Sequence, residues 1–205
     1  MPTTPMPMTR LPTQARQAEI VAVALHLAQD RSPAGITTTD LAQAMGLSQG
    51  ALFKHFPSKD AIWLGVMAWV QDNLLRTLQE AAAQAPAPME ALGAVFDAHV
   101  RFVMAHPGVP RVIFHELQQA QDSALKQQVR GVMQGYRQLL LGLLDAAVQS
   151  GEVAADLDTA AAATLFVGIV QGLVMQSMLS GRIATMDEQA QKVFHLYLRG
   201  IRAMP

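Results

Sequence analysis

The chain has 205 residues, of which 51% are hydrophobic and only 15% charged, against roughly 25% charged in an average soluble domain, so a disordered tail protein is excluded. It contains no cysteine, which removes disulfides, thiolate metal sites and cysteine nucleophiles. A formal net charge of -1 leaves no whole-chain argument for nucleic acid, and a mean hydropathy of +0.20 without a membrane signal points to a subunit interface, a ligand cavity, or both.

The opening stretch MPTTPMPMTRLPTQ carries four prolines and no apolar run. It reads as a flexible cytoplasmic arm over residues 1–12, neither signal peptide nor membrane anchor. A first helix is predicted over 15–30, with Thr13 as cap and Ile20, Val23, Ala24, Leu27 and Ala28 as its buried stripe. Two short helices follow, over 38–45 and 48–55, separated by a turn at Gly46-Leu47 and closed by Pro57. Ser58 caps a long helix over 59–83 that carries Ile62, Val66, Trp69, Val70, Leu74 and Leu78. Further helices are expected over 89–105, 109–121, 122–150, 157–179 and 186–204. Strand alternation and hairpin turns are nearly missing, so the fold is all-α.

From Thr159 to Gly181 no charged residue occurs over 23 positions, long enough to cross a bilayer. Polar interruptions at Thr164, Gln171, Gln176, Ser177 and Ser180, with the pair Gly168 and Gly172, favour a helix buried on nearly all sides in a core and dimer seam. No membrane partner is expected.

The pair of short helices has helix-turn-helix proportions, with Leu41, Ala42, Met45, Leu47 and Leu52 as a small hub. The second helix then presents Ser48, Gln49, Ala51, Lys54 and His55, hydrogen-bonding or small residues for base edges and cations for phosphates.

At T-x-x-D-L-A-x-A-x-G-L-S-x-G-A-L-F-x-H-F-P-S-K-D, Thr37 to Asp60, the chain resembles the TetR (tetracycline-repressor-like) family of bacterial transcriptional regulators. The resemblance implies phosphate contacts by Thr38, Ser48, His55 and Lys59, base-edge approach by Gln49, Gly50 and Ala51, and mixed contact by Lys54. Phe53 stands where many relatives have tyrosine, so a hydroxyl-to-phosphate bond is lost and the ring is expected only to pack. The segments from His106 to Gln118 and Gly151 to Gly181 also resemble the family's ligand-binding domain.

Several catalytic signatures are mimicked. Gly46-Leu47-Ser48-Gln49-Gly50 spells the G-x-S-x-G elbow, but a helix precedes it where that motif needs a strand. His115-Glu116-Leu117-Gln118-Gln119 lacks the second histidine of H-E-x-x-H. No catalytic residue, cofactor or metal ligand is therefore assigned. His99, His106 and His115 nevertheless leave a metal-sensing repressor open. Among the twelve methionines, Met104, Met133, Met175 and Met178 are candidates for a pliable apolar pocket. Met104 and Met175, with Arg101, Tyr136 and Gln171 as polar groups, are the expected ligand-binding residues.

The expectation is a helix-turn-helix domain over 13–58 followed by a helical bundle over 59–205 that binds a ligand and dimerises through its last two helices. The partners are double-stranded operator DNA and a small-molecule effector, mostly apolar, that releases a repressor from a palindromic site. A helical enzyme or small-molecule carrier without DNA function remains the alternative from another class.

Overall fold

The computed structural model describes residues 13–202, and these residues form helices joined by short turns. The expected arm over 1–12 and the end of the last predicted helix lie outside the described residues. In chain order the helices are α1 (Thr13–Leu27), α2 (Thr38–Ala44), α3 (Gln49–Phe53), α4 (Lys59–Ala83), α5 (Pro88–Ala105), α6 (Gly108–Leu117), α7 (Ala124–Gln149), α8 (Thr159–Ser180) and α9 (Met186–Ile201).

Local chemistry accounts for most of these boundaries. Thr37, Ser48, Ser58, Ser123 and Asp158 each cap the helix that follows by accepting a backbone N–H, and Thr37 completes a capping box with Asp40. Gly46 and Gly181 take the left-handed conformation that ends α2 and α8 (φ 63° and 67°). The predicted cap Thr13 is instead the first residue of α1, and α6 stops at Leu117 rather than near Gln121.

α4 packs on α1 at its start and on α5 and α7 further along, so one continuous apolar core runs from Ile20 to Ile201. In α1 the buried residues are Ile20, Val21, Ala24 and Leu25, whereas Val23 and Leu27 are half-buried. The stripe is turned from the expected one because α1 is gripped by α2, α4 and α6 together. Gly108, at the start of α6, lies against the end of α1 so closely that a Cβ there would sit 2.2 Å from the Leu25 carbonyl oxygen.

The far end of the bundle is held by aromatic packing. Phe96 stacks on Phe194 at 4.3 Å, Phe166 meets Phe96, Phe194 and Tyr197 edge-on, and the buried Tyr197 hydroxyl donates to the Ala162 carbonyl. Phe194, on the last helix, thus belongs to the protomer core.

α8 departs most from expectation. Within the protomer it is not buried on nearly all sides: Leu165, Gly168, Gly172, Met175 and Leu179 form an exposed stripe at alternating three- and four-residue spacing. A Cβ on either glycine would meet nothing within 4 Å. α8 is also the one described helix long and apolar enough to cross a membrane, but its opposite face, with Phe166, Val170 and Val174, lies in the protein core.

Candidate nucleic-acid interface and effector cavity

The reading head is built around Leu41, Ala42 and Leu52, with Ile36, Phe56, Ile20 and Ala24 closing the hub and Met45 and Leu47 half-buried at its edge. This packing leaves the opposite face of α3 to solvent: Ser48, Gln49, Gly50, Phe53 and Lys54 are exposed, and Ala51 is half-buried. The space over Gly50 is open, since a Cβ there would approach only Ser48 Oγ, at 4.0 Å. Ser48 Oγ accepts from Ala51 N at 3.2 Å, so the serine of the elbow-like sequence works as a helix cap.

Gln49 is tethered to the start of α2. Its Nε2 donates to Thr39 Oγ1 at 2.5 Å and lies 3.3 Å from Thr38 Oγ1. Arg31 and Thr37 hold α2 in place through Asp40. Hydrogen bonds from the Arg31 guanidinium and from Thr37 keep the Asp40 carboxyl well below the usual carboxylate range.

Lys59 and Phe53 each take a definite place. Lys59, expected on a phosphate, donates from Nζ to the Ala34 carbonyl at 3.0 Å, because the turn at Pro33–Gly35 brings that carbonyl over the start of α4. Phe53, expected only to pack, is 41% exposed, because Leu52 and Phe56 already fill the hub. His55 is half-buried with Nδ1 unpartnered among the described residues, while its carbonyl accepts from Gln17 Nε2 at 3.0 Å. Lys54 is exposed at the end of α3.

Between α4, α5, α6, α7 and α8 lies an apolar cavity of about 60 Å³. Phe102, Ile113, Phe114, Met133 and Val170 form much of its wall, and His99 and Gln171 are its polar members. His99 Nδ1 pairs with the buried Tyr136 hydroxyl at 3.0 Å. Desolvation lowers the His99 pKa to about 4, so the ring is neutral near pH 7, and burial raises that of Tyr136. With Tyr136 donating to Nδ1, Nε2–H becomes the donor left for a ligand.

Of the expected ligand-binding residues, only Gln171 lines this cavity, with Tyr136 directly behind it on His99. Arg101 is exposed on the outer face of α5, since Val100, Phe102 and Val103 take its inner face. Met104 is half-buried beside the core but off the cavity wall. Met175 is 43% exposed, because Gln171 and Val174 take the cavity-facing positions and turn it onto the outer stripe. His99 and Met133 also line the wall, whereas the sequence offers His99 as a metal ligand and Met133 as one of four pocket methionines. The three histidines do not converge: His106 packs edge-on against Trp69 at 4.9 Å, and no metal-binding group of His, Asp and Glu occurs among the described residues.

Residues 20–66 match the family profile described as bacterial regulatory proteins, tetR family, and residues 113–193 match the tetracyclin repressor-like C-terminal domain. The chain belongs to the TetR family. A nucleoid occlusion factor of Vibrio vulnificus is 28% identical over 99 residues, 48% of this chain and 50% of that protein, so the match spans about half the length of that relative. The fatty acid metabolism regulator protein of Bacillus subtilis is 22% identical over 161 residues, 78% of this chain and 82% of the relative. Among solved structures, a fatty acid degradation regulator of Bacillus halodurans superposes with a TM-score of 0.81 at 19% identity, covering 96% of this chain and 100% of the other. At that identity the superposition shows a common fold. For a TetR-family chain the two profiles fall on separate parts of the molecule, one on α1–α4 and the other on α6–α9, and α4 joins them.

Proposed function

We propose that the chain is a cytoplasmic, homodimeric transcriptional repressor without enzymatic activity, released from a palindromic operator by a small, mostly apolar molecule. The observation that carries this reading is the recognition face of α3: Gln49, Gly50, Phe53 and Lys54 stand open to a groove while Leu52 locks the helix onto its hub. Residues 13–58 form the reading head and 59–205 the effector and dimerisation body.

The outer stripe of α8, with Leu196 at 66% exposure on α9, supports a seam of four helices between two copies. Two recognition helices must then stand about 34 Å apart to enter successive major grooves. The 25-residue α4 fixes each head to the body, and the Gly108–Leu25 contact joins α6 to α1. Any movement of α6 is therefore felt at the head.

A cavity of about 60 Å³ cannot enclose a drug-sized ligand, which needs roughly 300 Å³ or more. An effector must push α6 outward, and the flexible Met133 is the wall residue that yields most readily. Such a ligand favours the opened body over the DNA-bound one, a coupling typically worth about 1–3 kcal/mol. The lining suits an apolar body oriented by an acceptor that meets His99 Nε2–H and Gln171. One solved structure of the same fold, a Bacillus subtilis regulator, is a complex with stearoyl-CoA; its long acyl chain supports an apolar body for the effector, whereas its charged phosphates lie outside that class.

The test is a gel shift on the intergenic DNA beside the chain's own gene, with release measured across lipophilic acceptors and multiply charged metabolites. Release by the lipophilic set, lost in Met133→Trp and weakened in His99→Phe, is expected. Absence of any shift overturns DNA binding, and release only by charged compounds overturns the apolar cavity.

A further inference from the structure

A second and larger cavity, about 340 Å³, lies beneath the reading head, separate from the apolar one. One side is made by Pro33, Ala34 and the first turns of α4; the other by α6 and the start of α7. Its floor is apolar, with Trp63, Val112 and Leu125. The volume falls in the range that encloses small molecules.

Glu116 lines this cavity at only 7% exposure, the one buried charged residue of the described core. Its Oε1 accepts a hydrogen bond from Ser123 Oγ, and Oε2 has no hydrogen-bond partner among the described residues. No cation pairs with it there either. Lys59 and His115 border the same space, but Lys59 Nζ is turned to the Ala34 carbonyl at 3.0 Å and neither side chain forms an ion pair with Glu116. Asp60 adds a second carboxylate at the rim. One carboxylate oxygen of this largely buried residue is thus left open to the cavity, where a cation can pair with it. An apolar floor beside it suits the body of the same cation.

We propose that this junction cavity binds a monocationic amphiphile, a protonated amine on an apolar body, with Glu116 as its counter-ion and Trp63 as its apolar wall. The occupant touches head and body at once, so it sets their relative position from outside the effector cavity.

The two tryptophans report on the two cavities separately. Trp63 lines the junction, while Trp69 stacks on Phe102 and meets His106 edge-on beside the effector cavity. The experiment titrates the full-length chain, as Trp69→Phe, with n-octylamine at pH 7, and repeats it with 1-octanol and octanoate. A saturable change in Trp63 emission is expected with octylamine, with octanol and octanoate about tenfold weaker or worse, as for a charge-assisted hydrogen bond of 1.5–3 kcal/mol. Trp63→Phe, which keeps Trp69, should show no change over the same range. Glu116→Gln should weaken octylamine by a similar factor while keeping an acceptor for Ser123. Should that variant fail to fold, Ala124→Phe fills the space from an exposed position of α7 and should also block the amine. Equal binding of the three probes, an unmoved Trp63 signal, or full affinity in a folded Glu116→Gln or Ala124→Phe protein would each overturn the proposal.

Discussion

Gly108→Ala probes the joint between body and head. The new Cβ would lie 2.2 Å from the Leu25 carbonyl oxygen, 3.1 Å from the Leu25 carbonyl carbon and 3.3 Å from Ala28 Cβ. An ordinary carbon–oxygen approach is about 3.3–3.6 Å, so α1 and α6 must part by roughly 1 Å. The obstacle is backbone, which cannot turn aside as a side chain would, so the cost belongs in the upper part of the overpacking range, about 2–3 kcal/mol. For a chain of this size that corresponds to a fall in Tm of roughly 4–12 °C. Gly142→Ala is the matched control: it lies in the interior of α7, its Cβ would meet nothing within 4 Å, and the change should stabilise by about 0.5–1 kcal/mol. Thermal unfolding by circular dichroism measures both. Gly108→Ala should also bind operator more weakly than Gly142→Ala, since it opens the contact that an effector is proposed to open. A Gly108→Ala protein that melts within about 1 °C of the unsubstituted chain would refute the close approach, because an overpacked site shifts Tm by more than that.

Gln49→Ala should relax preference at one base position by about 1–3 kcal/mol, whereas Lys59→Ala, which loses its bond to Ala34, should lower affinity for all sequences alike; competition gel shifts with single-base variants of the operator separate the two. Gly168→Arg places a charge on the open stripe of α8, so it should leave the protomer's melting cooperative yet give a monomer in sedimentation at micromolar concentration; a dimer would move the seam elsewhere. Asp40 has a folded pKa below its ordinary 3.8, so its stabilising effect is complete above that pH and is lost as pH falls below it. Asp40→Asn should therefore melt lower than the parent at pH 7, with the difference shrinking below pH 3.8. His99, with its pKa lowered from 6.5 to about 4, acts in the opposite sense to a stabilising histidine: the unfolded chain takes up the proton first, so stability should fall from pH 6.5 toward 4. In His99→Phe that part of the acid slope should disappear.

The reading head was legible in the sequence because its determinants are local. Thr37, Ser48 and Ser58 start their helices through hydrogen bonds to residues three positions on, and Gly46 supplies the one left-handed residue of the turn. Those contacts hold wherever the rest of the chain goes. The charge-free run of α8 likewise announced an apolar partner, but not on which side. Met175 follows Val174 by one position, about 100° around the helix, and that rotation separates the cavity wall from the outer stripe. Which arc faces inward depends on where α5, α7 and α9 lie against α8, and no periodicity within α8 carries that information, because the helix is apolar on both sides. The same holds for Lys59, Phe53 and Glu116. A carbonyl 25 residues away captures the lysine, a filled hub turns out the phenylalanine, and the packing of α6 against the head buries the glutamate, each decided by contacts between segments distant in the chain.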